Sequence, residues 1–294
     1  MTTSATMTAA VAACDRPDGL LRCLHGVLAG PVLPAEIVVV DQSRDDAVAT
    51  ALSSLRAPVP LHYFRMPREG LSASRNAAWR RAAQPAIAFT DDDCVPDPHW
   101  IGVADGVLGR DPDVAAVSGR VLPLGEERPG TYVVSPRTGT EAVEFTGRAV
   151  PWRVGTGGNF VARRPWLERV GGFDPRLGAG SPGRAAEDAD LIYRLLAKGG
   201  RIRYEPRAVV YHERQTAAQR LSSRRGYGHG IGAFCAMYLR RGDFHAGRML
   251  GGYLRDQSVS LARAALRRDW FVARQRLLAL EGCAGGIVYG LRLS

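Results

Sequence analysis

The chain has 294 residues, of which 46% are hydrophobic and 23% charged, as expected for a soluble globular protein with one large domain and an appendage. The net charge of +10 is uneven: residues 216–294 hold 13 arginines and 4 acids, whereas the first 215 residues hold 26 basic and 25 acidic residues. The five cysteines include no Cys-x-x-Cys pair. Neither a disulfide framework nor a zinc site is indicated, which favours a reducing, cytoplasmic location.

The first 90 residues alternate between strand and helix patterns. Predicted helices begin at Asp18 and at Ser72, and the predicted strands are 8–13, 36–41, 61–65 and 86–90. This βαβ rhythm predicts an α/β fold with a mostly parallel sheet covered by helices. Ligands bind such sheets beyond the carboxyl ends of the strands, where Asp41 and the run 91–93 fall.

Three consecutive carboxylates, Asp91, Asp92 and Asp93, end the predicted strand 86–90. Like charges repel unless solvent, a cation or a shared proton relieves them. Oxygen ligands at this place favour a hard divalent ion, Mn²⁺ or Mg²⁺. An acidic turn that caps the next helix is the alternative interpretation.

The second half changes character. Residues 123–150 show little helical pattern and predict a hairpin or irregular excursion, and a glycine cluster follows at 155–158. The glycines favour either close approach of the backbone to a ligand or a plain turn into a strand. A predicted helix begins at the acidic run 187–190, which the helix dipole alone could explain, and a last predicted strand covers 201–212.

Seven short motifs together resemble family 2 glycosyltransferases. In order they are DRP (15–17), VDQS (40–43), GLSASRN (70–76), TDDDC (90–94), GGNF (157–160), GGFD (171–174) and EDADL (187–191). The resemblance covers about residues 6–215. It implies the GT-A fold, a Rossmann-like sheet flanked by helices, with a nucleotide-sugar half at about 1–122 and an acceptor half at about 123–215.

The resemblance also implies roles for individual residues. On the acceptor side, Asp188 corresponds to the catalytic base and Glu187 is its acidic neighbour. Asp93 corresponds to the metal ligand of the DxD motif, and His212 to an additional ligand, although a histidine at a strand end is often only structural. Residues matched to donor nucleotide binding are Asp15, Arg16, Asp41, Arg75, Asn76, Asp91 and Asp92, and those matched to the acceptor or diphosphate loop are Gly157, Gly158 and Asn159.

The implied reaction is metal-dependent transfer of a sugar, with inversion, from a UDP-, GDP- or dTDP-linked donor to a hydroxyl acceptor. A carboxylate is a suitable general base for such a hydroxyl. Two alternatives are a nucleotidyltransferase and a non-catalytic basic nucleic-acid-binding protein. The first normally carries a Gly-rich phosphate loop after strand one, which residues 13–17 lack, and no known nucleic-acid motif accompanies the charge.

Residues 216–294 form a predicted basic, amphipathic helical extension. Leucines alternate with arginines around Arg263, Arg267 and Arg268, a pattern typical of helices that lie on an anionic membrane. Docking on the catalytic domain and homodimer formation are the alternatives. The longest apolar run, 231–239, is too short to cross a bilayer, and no signal peptide is predicted.

Overall fold

The computed structural model describes residues 3–293. The strands are β1 Thr3–Ser4, β2 Met7–Ala13, β3 Val32–Leu33, β4 Glu36–Asp41, β5 Leu61–Arg65, β6 Ala86–Asp91, β7 Cys94–Pro96, β8 Val114–Pro123, β9 Thr131–Tyr132, β10 Val143–Phe145, β11 Phe160–Arg163, β12 Arg201–His212 and β13 Gln215–Thr216. The helices are α1 Pro17–Leu28, α2 Ala47–Ser53, α3 Leu71–Arg81, α4 Trp100–Arg110, α5 Pro151–Val154, α6 Arg164–Val170, α7 Glu187–Ala197, α8 Ala217–Arg240, α9 Phe244–Leu266 and α10 Trp270–Arg292.

A nine-stranded mixed sheet forms the centre, in the order β10-β12-β8-β11-β6-β2-β4-β5, with β7 paired to β12. The strands β6, β2, β4 and β5 are parallel, as the βαβ rhythm predicts. The β8–β12 pair is also parallel, whereas β7, β10 and β11 run antiparallel to their neighbours. The predicted α/β class with a C-terminal helical region is confirmed.

The boundaries of the predicted elements hold to within a few residues. The helix predicted to begin at Ser72 begins at Leu71 and ends at Arg81, because Ala82 adopts extended backbone. Pro85 follows shortly and disfavours helical backbone at the residue before it. The segment 123–150 is irregular apart from two short strands, as predicted.

The core lies on both faces of the sheet. The β-branched run of β4 is buried along its whole length, and Leu20 and Leu24 of α1 pack on one face. Phe89 and Leu191 belong to the cluster on the other face. Burial of each such large side chain contributes about 1.5–3 kcal/mol.

The predicted helical extension contains three helices in the described residues, α8, α9 and α10. A capping box between Thr216 and Gln219 starts α8, and Asp243 and Asp269 cap α9 and α10. Phe234 of α8 is fully buried and packs edge-on against Tyr193 of α7, with ring centroids 5.4 Å apart. The extension therefore docks on the catalytic fold and shares a core with it. Within the described residues, none of the helices has the length and apolarity needed to traverse a bilayer.

Candidate active site

A cleft of about 790 Å³ opens where the carboxyl ends of β2, β6 and β12 meet. β12 reaches this edge because it runs parallel to β8, while β8 and β6 both run antiparallel to their common neighbour β11. The starts of α3 and α7, the glycine loop 155–158, and Tyr227 and Tyr253 complete the walls. Open α/β sheets bind ligands at this edge.

Arg75 of α3 joins two carboxylates that are far apart in the sequence. Its guanidinium donates from Nη2 to Asp91 Oδ1 at 2.6 Å and from Nη1 to Glu187 Oε1 at 2.9 Å, and the side chain is only 2% exposed. Two charge-assisted bonds compensate the buried cation. Gly157 passes so close that a Cβ atom there would lie 2.5 Å from Nη1, which explains the glycine.

Asp92 lies in the cleft wall, where two contacts hold its carboxylate. Its Oδ2 accepts from the backbone N–H of Cys14 at 3.0 Å, and its Oδ1 lies 3.3 Å from Arg16 Nε. Burial raises the pKa of Asp92 to about 7. Asp92 therefore fixes the end of β2 against the end of β6.

Asp93 and His212 form the candidate metal site. Asp93 Oδ1 lies 3.6 Å from His212 Nε2, and within the described chain the pair forms with Cys94 a group whose ligand atoms lie within 4.8 Å of one another. His212 Nδ1 contacts the carbonyl oxygen of Glu213 at 2.9 Å. Because a carbonyl only accepts, Nδ1 carries the proton, which leaves Nε2, on the side of Asp93, as the ring nitrogen that could bind a cation. This donor set suits a divalent cation.

Two acids begin α7 and have different environments. Glu187 is buried, and burial, with a further contribution from Asp188, raises its pKa to about 7. Asp188 lines the cleft and accepts from the backbone N–H of Gly157 at 2.9 Å and of Ala189 at 2.7 Å. Of these two acids, Glu187 is paired with Arg75, whereas Asp188 forms no ion pair with any residue that the structure describes.

Asp41 lies at the end of β4 and is fully buried. Its Oδ1 accepts from the Ser43 backbone N–H and hydroxyl at 2.8 and 2.5 Å, and its Oδ2 from the Tyr63 hydroxyl at 2.8 Å. Burial and the Asp41 carboxylate raise the pKa of Tyr63 to about 12. Direct contact of Asp41 with the base of a donor nucleotide stays a prediction. For such contact, Asp41 would have to give up hydrogen bonds from Ser43 or Tyr63.

Asp15 sits at the rim beside Arg68, in a left-handed backbone conformation with φ 56°. Its Oδ2 lies 2.5 Å from Arg68 Nη2, and its Oδ1 accepts from the Arg44 backbone N–H at 3.0 Å. The hydrogen bond from Arg44, followed by the bond and charge of Arg68, lowers the pKa of Asp15.

Two of the predicted polar residues, Asn76 and Asn159, connect distant segments of the chain through side-chain hydrogen bonds. The Asn76 amide bonds both the backbone N–H and the carbonyl of Phe173, at 2.8 and 2.7 Å. The Asn159 amide donates to the Ala208 carbonyl at 2.9 Å and accepts from the Trp100 indole at 2.8 Å. Neither side chain lines the cleft.

The cleft unites most of the residues predicted from the motifs. Those that line it are Arg16, Arg75, Asp91, Asp92, Asp93, Gly157, Gly158, Glu187, Asp188 and His212. Those that do not are Asp15, Asp41, Asn76 and Asn159.

The sequence analysis missed several residues of the cleft wall. Gln42 and Arg68 line the cleft, and Gln42 directly follows Asp41 in the VDQS motif, which is a local signal for it. Trp152 and Tyr253 lie close to each other on the other side, with ring centroids 6.3 Å apart. Tyr253 and Tyr227 come from the extension and carry no local signal.

Comparison with known proteins places the chain in a family. The sequence profile described as "Glycosyl transferase family 2" matches residues 8–171, more than half of the chain. The pre-mycofactocin glycosyltransferase of Mycobacterium tuberculosis is 29% identical over 171 residues, which cover 56% of this chain. The aligned region covers only 34% of that relative, so the chain spans about a third of its length.

Two solved structures share the fold. The mannosyltransferase PcManGT from Pyrobaculum calidifontis, in complex with GDP-Man and Mn²⁺, is 18% identical with a TM-score of 0.64, covering 96% of this chain and 88% of that one. S. aureus TarS 1–349 in complex with UDP is 14% identical with a TM-score of 0.57, covering 95% and 91% of the two chains. The resemblance drawn from seven motifs is confirmed: this chain belongs to glycosyl transferase family 2 and has the GT-A fold.

Proposed function

We propose that the chain is a metal-dependent, inverting glycosyltransferase that moves a sugar from a nucleoside-diphosphate sugar to an acceptor hydroxyl. The observation that carries this proposal is the presence of the Asp93–His212 pair and of Asp188 in one cleft. Bound GDP-Man with Mn²⁺ in one structural neighbour and UDP in another support a nucleotide-linked donor and a divalent cation.

Asp93 and His212 are the residues that would hold Mn²⁺ or Mg²⁺. When bound, such an ion supplies a Lewis acid that stabilises negative charge on a departing diphosphate. Arg16 and Arg75, with Asp91 and Asp92 between them, line the adjoining wall on which we place the donor nucleotide. Asp15 and Asp41 would support it from the rim and from behind the wall.

Asp188 is the proposed general base. The acceptor hydroxyl loses a proton as it attacks the anomeric carbon, and Asp188 is a cleft carboxylate that forms no ion pair among the described residues and is not one of the proposed metal ligands. Glu187 is engaged by Arg75 and positions its neighbour through α7. A single displacement, with no covalent intermediate, inverts the anomeric configuration.

Substitution of Asp93 tests the proposal. Asp93→Ala should abolish sugar transfer and the Mn²⁺-dependent part of nucleotide binding, measured by calorimetry with UDP, GDP and dTDP, because a direct metal ligand is lost. Asp113→Ala removes an exposed carboxylate and should change neither. Full Mn²⁺-dependent turnover by Asp93→Ala would contradict the metal assignment.

We also propose that the end of the α9–α10 hairpin contacts an anionic membrane. Leu266 and Trp270 flank this turn with 85% and 68% of their surfaces exposed. Arg263, Arg267 and Arg268 are exposed beside them. An exposed aromatic and aliphatic pair among cations complements an anionic lipid surface.

A further inference from the structure

Three arginines of the extension form a cluster outside the catalytic group. Arg220 and Arg224 lie on α8 and Arg276 on α10, and all three are partly buried. We call Arg220, Arg224 and Arg276 the arginine cluster. Among residues 3–293, no carboxylate lies within 4 Å of any of their guanidinium nitrogens.

The charge of the arginine cluster is poorly compensated. Arg220 donates to the Val133 carbonyl at 2.8 Å and to Gln275 at 3.0 Å, and Arg276 donates to Gln257 at 3.3 Å, all uncharged acceptors. The Nε atoms of Arg224 and Arg276 are buried and have no hydrogen-bond partner. Burial, with repulsion from the other two arginines, lowers the pKa of Arg224 to about 10. Buried charges are normally paired.

Three neighbouring positions place the arginine cluster beside the catalytic cleft. Tyr227 lines the cleft three residues after Arg224 on α8, and Tyr253 lines it four residues before Gln257, the partner of Arg276. Residues at these spacings lie on one helix face, about one turn or 5.4 Å apart. The third position is Val133, whose carbonyl accepts from Arg220 and whose neighbour Val134 lines the cleft.

We propose that the arginine cluster binds a phosphate or diphosphate group of the acceptor and thereby orients the acceptor hydroxyl toward Asp188. The inference rests on the proposed function, because the acceptor end of the cleft is defined by Asp188. Guanidinium groups bind phosphate oxygens through paired, charge-assisted hydrogen bonds. Uncharged acceptors hold the Arg220 and Arg276 guanidiniums in place without neutralising them, which leaves their charge for a ligand.

Phosphate binding by the full chain, without nucleotide or metal, tests the site. Calorimetric titration at constant ionic strength uses inorganic phosphate, pyrophosphate and octyl phosphate. Arg224→Gln/Arg276→Gln should weaken binding about tenfold or more, because charge-assisted bonds are lost. Arg248→Gln/Arg274→Gln removes two exposed arginines of the same helical unit and should bind like the unmodified chain. Preference for octyl phosphate indicates an acceptor with an apolar chain, and equal affinity indicates a free phosphate compound.

Thermal unfolding without phosphate separates a binding site from a structural role. Arg224→Gln should unfold at the same or a higher temperature than the unmodified chain, since repulsion is relieved. A lower unfolding temperature for Arg224→Gln would overturn the proposal. The proposal also fails if the unmodified chain does not bind phosphate, or if the cluster substitutions leave phosphate binding unchanged. If the unmodified chain shows no Mn²⁺-dependent nucleotide binding, the proposed glycosyl transfer is refuted. The measured phosphate binding by the arginine cluster would still hold in that case.

Discussion

At the scale of single residues, the two neighbouring acids of α7 show how environment separates their roles. Glu187 is buried, bonded to Arg75, and has a raised pKa, whereas Asp188 faces the cleft and accepts only backbone N–H groups. The two backbone hydrogen bonds fix the Asp188 carboxylate at the surface of the cleft. A carboxylate held beside the reacting hydroxyl is what a general base requires.

Asp188→Asn should retain donor affinity and lose about 10²–10⁴-fold in the rate of sugar transfer, since the amide cannot accept the proton. Steady-state kinetics with the cognate donor measures this loss. Glu187→Gln keeps an acceptor for Arg75 and is the matched control. A larger loss in the Glu187 variant would reassign the base. The anomeric configuration of the product, read by NMR coupling, should be opposite to that of the donor.

The raised pKa of Glu187 predicts a pH-dependent stability. Its ordinary value is 4.5 and its value in the fold is about 7, so between these values the native state holds more of this proton than the unfolded chain. The contribution of Glu187 to the free energy of unfolding therefore falls as pH rises from about 4.5 to 7 and is constant above. Thermal melts should show Glu187→Gln gaining stability relative to the unmodified chain from pH 5 to pH 8. Glu168→Gln, at an exposed position, should show no such trend.

At the scale of elements, α8 and α10 meet along a seam of glycines. Gly228 and Gly232 of α8 face α10, and Gly282, Gly286 and Gly290 of α10 face α8. A Cβ atom at any of them would overlap the backbone of the opposite helix. Four-residue spacing of glycines lets two helix backbones approach closely, and here it sets the position of the helices that carry Tyr227 and the arginine cluster.

Gly286→Ala should destabilise the chain by about 3 kcal/mol, because the new methyl group would overlap the His229 carbonyl oxygen and force the helices apart. Chemical denaturation measures the change. Gly252→Ala on α9 is the control, since no atom lies within 4 Å of its Cβ position, and it should stabilise by up to about 1 kcal/mol through helix propensity. Equal effects at the two positions would contradict close packing at the seam.

At the scale of the whole molecule, a short segment of chain links the exposed end of the α9–α10 hairpin to the cleft. Phe271 of α10 stacks on Tyr132 at 4.8 Å, and the chain from Val134 to Arg137 then lines the cleft. The described structure also shows that α8 docks on α7, so the extension is part of the folded unit. A membrane-bound acceptor held at the hairpin would therefore be close to the cleft.

Substitution of Arg263, Arg267 and Arg268 by glutamine should weaken binding to anionic vesicles about hundredfold at low salt, because each cation contributes about 1 kcal/mol near the surface. Sedimentation with vesicles measures the binding, which should fade as salt increases. Binding of a soluble nucleotide sugar should not change. If the unmodified chain fails to bind vesicles, the membrane proposal fails, and a doubled molecular mass in solution would then favour a dimer.

The sequence by itself determined the strands, the motif order and the family, because strand and helix periodicity and short motifs are local. The family motifs also led to ten of the residues that line the cleft, and three of these, Asp91, Asp92 and Asp93, were expected there because they follow the end of a strand in a parallel sheet. Only the tertiary structure decided that the Asp41, Asn76 and Asn159 side chains are occupied by internal hydrogen bonds. The positions of Tyr227, Tyr253 and the arginine cluster were equally hidden, because they arise from packing of helices that begin 59 residues or more after the glycine loop 155–158. These long-range contacts depend on how closely the α8 and α10 backbones pack at the glycine seam, and no local pattern of charge or hydrophobicity specifies that packing.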